Sequence, residues 1–309
     1  MFKRLAVYME DSKVNEVESV ITPPPRVHGM AILPGTIVDQ RLLVANNQIP
    51  SSRILSVNLI IPRTTILATT GSGPGEVSFP HGIAVDPNTR NIFVADSSNH
   101  RIQKFTPNFV FIKTWGFEGS VGNPIGIVID SNFDVYVTDR GNHRVQKFDI
   151  DGNFIDTWGS KGTGDAQFDE PMGIAVESDD DIVIVDNDNC RIQKFKSDGQ
   201  FIRSWGQRGT GAGEFIAPHG VAVDSNDDIY VADFGNQRVQ KFDINGNFIK
   251  AWGSPGTGDG QFMAPLEITF NRLTGSLLVS DDVNENIQIF TTDGVFSGKV
   301  NFGPILSDQ

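Results

Sequence analysis

The amino-acid sequence predicts an all-β fold, a six-bladed β-propeller whose blades are four-stranded antiparallel sheets. Three observations predict it: a regular spacing of tryptophan, four apolar runs that recur in a fixed order, and turn residues between the runs. The tryptophans all precede glycine and lie 43, 47 and 47 residues apart, at Trp115, Trp158, Trp205 and Trp252. A period of about 40 to 50 residues that contains several short strands is typical of propeller blades.

The four apolar runs are clearest in the fifth unit, where they cover 220–224, 229–233, 238–242 and 248–252. Both faces of such a run are apolar, since Val239 and Phe242 lie on opposite faces of one strand. This pattern is expected of a blade packed between two neighbours. Equivalent first runs begin at Gly82, Gly126 and Gly173, and weaker copies begin at Gly29 and Glu267. The chain therefore contains six units.

Turn residues separate the runs where a four-stranded meander needs them. An Asp-Gly or Asn-Gly pair, a strong hairpin signal, lies between the third and fourth runs at 151–152, 198–199, 245–246 and 293–294. We divide the chain into an N-terminal segment, 1–27, in which residues 3–9 are expected to form an extra edge strand, and a propeller, 28–309. The blades are predicted at approximately 28–71, 79–116, 123–159, 168–206, 215–253 and 262–303.

The repeat also carries a set of short motifs. They are Pro-His-Gly-Ile-Ala-Val-Asp at 80–86, Val-Ala-Asp at 94–96 and Asn-His-Arg-Ile-Gln at 99–103, with variants of the last at 142–146, 189–193 and 236–240. In these motifs the chain resembles the NHL-repeat β-propeller family, which includes the NHL domains of tripartite-motif proteins and prokaryotic NHL-repeat proteins. The resemblance is strong over residues 79–253 and weaker in the flanking units. It implies the fold, and because this scaffold is widely reused it implies no single activity.

The chain is acidic, with a formal net charge of −13 and an isoelectric point of about 4.7. Resemblance to the NHL domains of tripartite-motif proteins implies RNA binding through a basic top face, but phosphate binding needs a positive surface and this charge argues against it. The single cysteine, Cys190, excludes an intramolecular disulfide. No segment resembles the apolar core of a signal peptide or a membrane span. We expect a soluble, cytoplasmic monomer without a nucleic-acid or membrane partner.

The main functional interpretation is a noncatalytic interaction module, or scaffold, that binds a protein or peptide partner and needs no cofactor. In a propeller the inter-blade segments and the loops between the second and third strands share one face, the top, and these loops vary between blades. The candidate contact residues on this face are Phe117, His100, Arg101, His143, Arg144, Arg191, Phe234 and Arg238. Each of the four arginines follows an aspartate by five residues, so a repeated structural brace is their alternative role.

The alternative function is a metal-dependent lyase or hydrolase at the mouth of the central channel. His28, His81 and His219 occupy equivalent positions at the start of the innermost strands. Peptidyl-hydroxyglycine amidating lyases have similar repeats and hold zinc with channel histidines of this kind, and three imidazoles with an open fourth position form a catalytic zinc site. Blades two and five lie opposite one another, so these ligands would converge only in a tight channel. Calcium is the other candidate metal, because the bottom turns are rich in aspartate, although aspartate is also a common turn residue.

Overall fold

The computed structural model of the chain describes residues 27–33, 41–46, 53–58, 64–116 and 122–301. These residues form 24 β-strands, which pair into six antiparallel sheets of four strands each. The architecture is therefore the predicted six-bladed propeller. The edge strand expected at 3–9 lies outside the described residues. Within them, no helix is long and apolar enough to cross a membrane.

The first three blades follow the chain without a crossover. Blade one contains β1 (Val27–Leu33), β2 (Arg41–Asn46), β3 (Arg53–Asn58) and β4 (Thr64–Ala68). Blade two contains β5 (Pro80–Val85), β6 (Ile92–Asp96), β7 (Arg101–Phe105) and β8 (Phe111–Gly116). Blade three contains β9 (Pro124–Ile129), β10 (Val135–Asp139), β11 (Arg144–Phe148) and β12 (Phe154–Trp158).

The last three blades repeat the same order, with the first strand innermost. Blade four contains β13 (Pro171–Val176), β14 (Ile182–Asp186), β15 (Arg191–Phe195) and β16 (Phe201–Trp205). Blade five contains β17 (Pro218–Val223), β18 (Ile229–Asp233), β19 (Arg238–Phe242) and β20 (Phe248–Trp252). Blade six contains β21 (Pro265–Asn271), β22 (Ser276–Asp281), β23 (Asn286–Thr291) and β24 (Phe296–Asn301). Short 3-10 turns follow the second strand in blades two, three and five, at Ser97–Asn99, Arg140–Asn142 and Phe234–Asn236.

The ring closes where the innermost strand of the first blade packs against the innermost strand of the last. β1 contacts both β5 and β21, and the remaining innermost strands contact one another in chain order around a central channel. Among the described residues each sheet consists of four consecutive strands, and none of these strands is exchanged between the first and last blades. Within this part of the chain, closure rests on contact between two four-stranded blades.

The second strand of each blade lies in the centre of the core. In blades two to five every residue of this strand is buried, on both of its faces, because each blade is covered by a neighbour on either side. The largest of these side chains are polar at one end. The hydroxyl of Tyr136 donates to Asp130 (2.9 Å) and that of Tyr230 donates to Asp224 (2.8 Å). Both tyrosines thus bury their rings while keeping a hydrogen bond.

The repeated tryptophans attach each blade to the next. The ring of Trp115 lies over Gly152, in the third hairpin of the following blade, so closely that a Cβ added there would be 2.6 Å from the indole. Gly152 also has a φ of 78°, which the tight hairpin requires and glycine adopts without strain. The same contact recurs between Trp158 and Gly199, Trp205 and Gly246, and Trp252 and Gly294. The tryptophan and the hairpin glycine are therefore two halves of one packing contact.

Glycine is the third residue of the innermost strand in the first five blades. A Cβ on Gly82 would lie 2.5 Å from the carbonyl oxygen of Ile125 in the next blade. The glycines therefore let neighbouring innermost strands approach backbone to backbone, which keeps the channel narrow. The sixth blade differs, because it carries Glu267 at this position.

Candidate functional site

A buried aspartate ends the second strand in blades two to six and organises the top of each blade. In blade five the carboxylate of Asp233 accepts hydrogen bonds from Asn236 Nδ2 (2.9 Å), Arg238 Nε (2.8 Å) and Gln240 Nε2 (3.0 Å). The Arg238 guanidinium also donates to three carbonyl oxygens of the preceding inter-blade segment, 210–214, at 2.7 to 3.0 Å. One ion pair thus joins the second strand, the top turn and the linker, and its carboxylate is fully buried.

The predicted brace is confirmed in the preceding blades as well. Arginine pairs with aspartate in the same way as Arg101 with Asp96 (2.7 Å), Arg144 with Asp139 (2.9 Å) and Arg191 with Asp186 (2.7 Å). In blade six, where Asn286 replaces the arginine, the aspartate keeps the hydrogen bonds from backbone N–H groups and from the asparagine of the turn, Asn284. Contact between the four arginines and a partner stays a prediction. Such a contact would be made by side chains that also brace the blades.

The other predicted contact residues of the top loops differ in their surroundings. Phe117 lies outside the described residues. His100 is exposed, and its Nδ1 contacts the carbonyl oxygen of Gly122 in the linker that follows. His143 Nδ1 accepts from the backbone N–H of Glu170 (3.2 Å). Both histidines therefore tie a top turn to the next inter-blade segment.

The three channel histidines are the second residues of their innermost strands and lie around the upper mouth of the channel. The rings of His28 and His81, in adjacent blades, stack in parallel with 4.8 Å between centroids and 6° between planes. His219, in blade five, packs instead against Phe234, with 5.1 Å between ring centroids. Phe234 is half-buried in this arrangement.

Burial keeps two of these imidazoles neutral. It lowers the pKa of His81 well below its ordinary value, and the nearby His28, His219 and Arg140 lower it further. Burial, with a smaller contribution from Arg140, lowers the pKa of His219 to about 4. At neutral pH both rings are therefore uncharged, a state in which an imidazole can donate one hydrogen bond and accept another, or bind a metal.

Sequence reasoning missed Arg140, which the structure places at the same mouth. It begins the 3-10 turn after β10, and its guanidinium forms a salt bridge with Glu170 from the start of the next blade. Asp188 lies nearby, and its pKa is raised by burial and by the carboxylates of Glu170 and Asp169, with Arg140 and Arg208 acting in the opposite direction. The mouth therefore combines neutral imidazoles with guanidinium groups and several carboxylates.

The position after the bracing aspartate touches the start of an innermost strand in several blades. Ser97 Oγ donates to the carbonyl oxygen of Pro124, and Asn187 Nδ2 donates to that of Pro218 (2.8 Å). We define the upper rim as this position together with the second residue of each innermost strand. It consists of Ser97, Arg140, Asn187, Phe234, Asp282, His28, His81, Ile125, Met172, His219 and Leu266. The brace repeats from blade to blade, whereas the upper rim changes in size, polarity and charge.

The channel histidines do not form one metal-ligand set. Among the described residues, three ligand atoms of His, Cys, Asp or Glu lie within 4.8 Å of one another only at Glu177, Asp179 and Asp181, in a bottom turn of blade four. Burial raises the pKa of Glu177 to about 7, and Lys194 forms salt bridges with both Glu177 and Asp181. The lysine already supplies a positive charge to this cluster. Binding of zinc or calcium stays a prediction.

Comparison with known families supports the repeat. A family model described as an NHL repeat matches residues 78–105 and 122–148, and a model described as a 6-bladed beta-propeller matches residues 176–267. Together with the six four-stranded sheets, these matches define a propeller of repeated blades. The chain is therefore a six-bladed β-propeller that contains NHL repeats.

Similarity to individual proteins is either short or confined to the fold. Over 46 residues, 15% of this chain, the sequence is 52% identical to peptidyl-glycine alpha-amidating monooxygenases A and B of Xenopus laevis, and the match spans only 5% of the length of those proteins. Virginiamycin B lyase from Staphylococcus aureus has a similar structure, with a TM-score of 0.65, 14% identity, and coverage of 90% of this chain and 85% of that chain.

Two further solved structures have TM-scores of 0.62. One is a chain of a nidogen/laminin complex, with 19% identity and coverage of 82% of this chain and 88% of the other. The second is a gluconolactonase from Xanthomonas campestris, with 14% identity and coverage of 92% and 96%. At these identities the similarity shows a shared fold, which occurs both in enzymes and in a nidogen/laminin complex.

Proposed function

We propose that the protein is a noncatalytic binding module and that the upper rim is its contact surface for a protein or peptide partner. The observation that carries this proposal is the division of the top of the blades into a repeated brace and a rim whose residues differ. Bracing needs the same residues in every blade, whereas recognition of one partner needs different residues around one opening. The rim has this second property.

The brace also supports binding, because it holds the rim in place. The turn that carries Phe234 is fixed by hydrogen bonds from Asn236, Arg238 and Gln240 to one buried carboxylate. A contact surface that is ordered before the partner arrives loses little conformational entropy on binding. The rim is therefore a preorganised surface on a rigid ring.

The chemistry of the rim indicates the kind of partner. Phe234 is a half-buried aromatic residue, a type that often anchors interfaces. Elsewhere on the top face the carboxylates of Asp169, Glu170 and Asp188 lie among the cations Arg140, Arg208 and Lys161, so the local charge is mixed. We therefore expect the partner segment to carry an apolar side chain that packs against Phe234, and the overall charge of −13 favours a segment with basic side chains through long-range attraction.

The test is to identify a partner by crosslinking in the source cells and to measure its affinity with purified components. Phe234→Ala is expected to weaken binding at least about tenfold, as loss of an aromatic anchor does. Phe248→Ala is the matched control, because Phe248 lies on the outermost strand of the same blade and is 39% exposed. Unchanged affinity for both Phe234→Ala and Arg140→Ala would contradict the proposal.

A metal-dependent lyase or hydrolase at the same mouth is the second candidate. The neutral state of His81 and His219 favours it, because a histidine must be unprotonated to bind a metal. The short similarity to the amidating monooxygenases points the same way. As they stand, however, the three histidines do not fit a three-ligand zinc site.

Elemental analysis of the purified protein, with melting curves in the presence and absence of a chelator, distinguishes the two candidates. Stoichiometric zinc that is lost in His81→Ala and His219→Ala would support the lyase or hydrolase. Protein that is metal-free and cannot be loaded with zinc would contradict it and leave the binding module.

A further inference from the structure

Below the upper rim, the six innermost strands enclose a cavity of about 460 Å³ in the channel. We call it the channel cavity. Its walls are mainly apolar and include Ile83, Val85, Ile127 and Val223. A volume of this size is within the range of small-molecule sites, and such sites are typically apolar with a few polar groups that fix the ligand.

The polar group in this cavity comes from one departure from the repeat. Among the described residues that line the cavity, Glu267 and Arg272 are the only two that carry a charge. Glu267 occupies the third position of β21, where each of the other innermost strands has glycine. Glycine at this position serves the close packing of the blades, so packing does not explain a glutamate. The substitution places one carboxyl group among mainly apolar side chains of the channel.

The Glu267 carboxyl has no partner among the described residues. Its backbone N–H donates to Ser280 Oγ (3.0 Å), but its side chain makes no hydrogen bond or ion pair there. Burial alone raises its pKa to about 8, with no compensating contact. The Glu267 side chain is half-buried and faces the channel. A carboxyl that lacks a partner in an apolar cavity costs free energy, and carboxyls perturbed in this way are typical of ligand sites.

We propose that the channel cavity binds a small organic ammonium ion with an aliphatic body, and that Glu267 is the anionic partner of its ammonium group. The apolar walls would cover the hydrocarbon chain, which contributes about 0.8 kcal/mol for each buried CH₂. Arg272 is exposed and lies in the turn after β21, five residues from Glu267, so it does not neutralise the carboxylate. This site is separate from the upper rim and does not depend on its proposed partner.

The experiment is titration calorimetry with n-hexylamine and with 1-hexanol, which has the same chain but no charge. We expect hexylamine to bind the wild-type protein and hexanol to bind at least about tenfold more weakly, as expected for loss of a buried charge pair. Hexylamine should also bind about tenfold more tightly at about pH 9 than at about pH 7. The amine stays protonated over this range, whereas a carboxyl with a pKa of about 8 becomes ionised.

Two variants keep the test specific. Glu267→Gln preserves the size of the side chain, and Glu267→Gly restores the residue of the other blades. Both should lose the preference for the amine and the tighter binding at high pH, while their melting temperatures should equal or exceed that of the wild type. The remaining titratable and charged groups nearby, His28 on β1, His219 on β17 and Arg272, are unchanged in these variants. Binding of hexylamine by Glu267→Gln as tight as by the wild type, equal binding of the amine and the alcohol, or no binding of the amine would each overturn the proposal.

Discussion

The imidazole of His219 packs against the phenyl ring of Phe234, with 5.1 Å between the ring centroids and 48° between the ring planes. Both residues belong to blade five, where His219 is the second residue of β17 and Phe234 follows β18 directly. The contact puts a titratable group beside the aromatic residue that we propose as the anchor for a partner. The charge of His219 is therefore coupled to the integrity of the upper rim.

We expect the free energy of unfolding to decrease as the pH falls from about 6.5 to about 4, in part because of His219. Burial lowers the pKa of the folded imidazole to about 4, whereas the unfolded imidazole has an ordinary value near 6.5. Below pH 6.5 the unfolded state binds the proton first, so stability is complete above this pH and is lost as the pH falls through the window. Urea denaturation should show a smaller loss in His219→Gln, by up to about 3 kcal/mol.

His100→Gln is the control for this prediction, because His100 is exposed. His100→Gln retains His219, so it should lose stability with falling pH as the wild type does. Carboxylates also titrate in this pH range, but they are present in all three proteins and do not distinguish them. Indistinguishable pH profiles for His219→Gln and His100→Gln would show that His219 is not held neutral by the fold.

The fold could be predicted because its signals are local and repeated. The tryptophans that precede glycine and the hairpin glycines recur in the sequence at a regular spacing. This repetition identifies the blades without any knowledge of which distant residues are in contact. The upper rim could not be assembled in this way. Arg140 and Glu170 are 30 residues apart and belong to different blades, so their pairing follows from the ring and not from any spacing within one repeat. Glu267 had a signal in the sequence, since it is a charged residue at a position that is otherwise glycine.

The arginine of the brace should not tolerate replacement by lysine. Arg238 contacts the Asp233 carboxylate and three linker carbonyls at once, and a lysine ammonium has neither the shape nor the number of donors to keep all four contacts. We expect Arg238→Lys to lower the free energy of unfolding by about 2 kcal/mol in urea denaturation. Arg208→Lys, at an exposed arginine, should change it by less than about 0.5 kcal/mol. Equal effects of the two replacements would argue against the brace as a source of stability.

Cys190 should be inert in the folded protein. Its side chain is fully buried in a hydrophobic cluster with Val185, Ile192 and Phe215. A buried thiol in apolar surroundings is a poor nucleophile, because the reactive species is the exposed thiolate. In concentrated guanidinium chloride, a chromogenic aromatic disulfide should react with one thiol per chain. In native buffer the same reagent should react with almost no thiol over several minutes. Rapid stoichiometric reaction of the native protein would show that the top of blade four opens readily.

The glycines of the innermost strands should be essential for packing of the ring. A Cβ on Gly220 would lie 2.7 Å from the carbonyl oxygen of Leu266 and 2.9 Å from the backbone nitrogen of Ile268, so Gly220→Ala must push blades five and six apart. We expect a loss of about 3 kcal/mol, measured by urea denaturation. Gly298 on β24 has no atom within 4 Å of an added Cβ, so Gly298→Ala should be neutral or stabilise by up to about 1 kcal/mol. Equal free energies of unfolding for Gly220→Ala and Gly298→Ala would show that the innermost strands can move apart without loss of stability. Close packing of these strands would then not explain the glycine at this position.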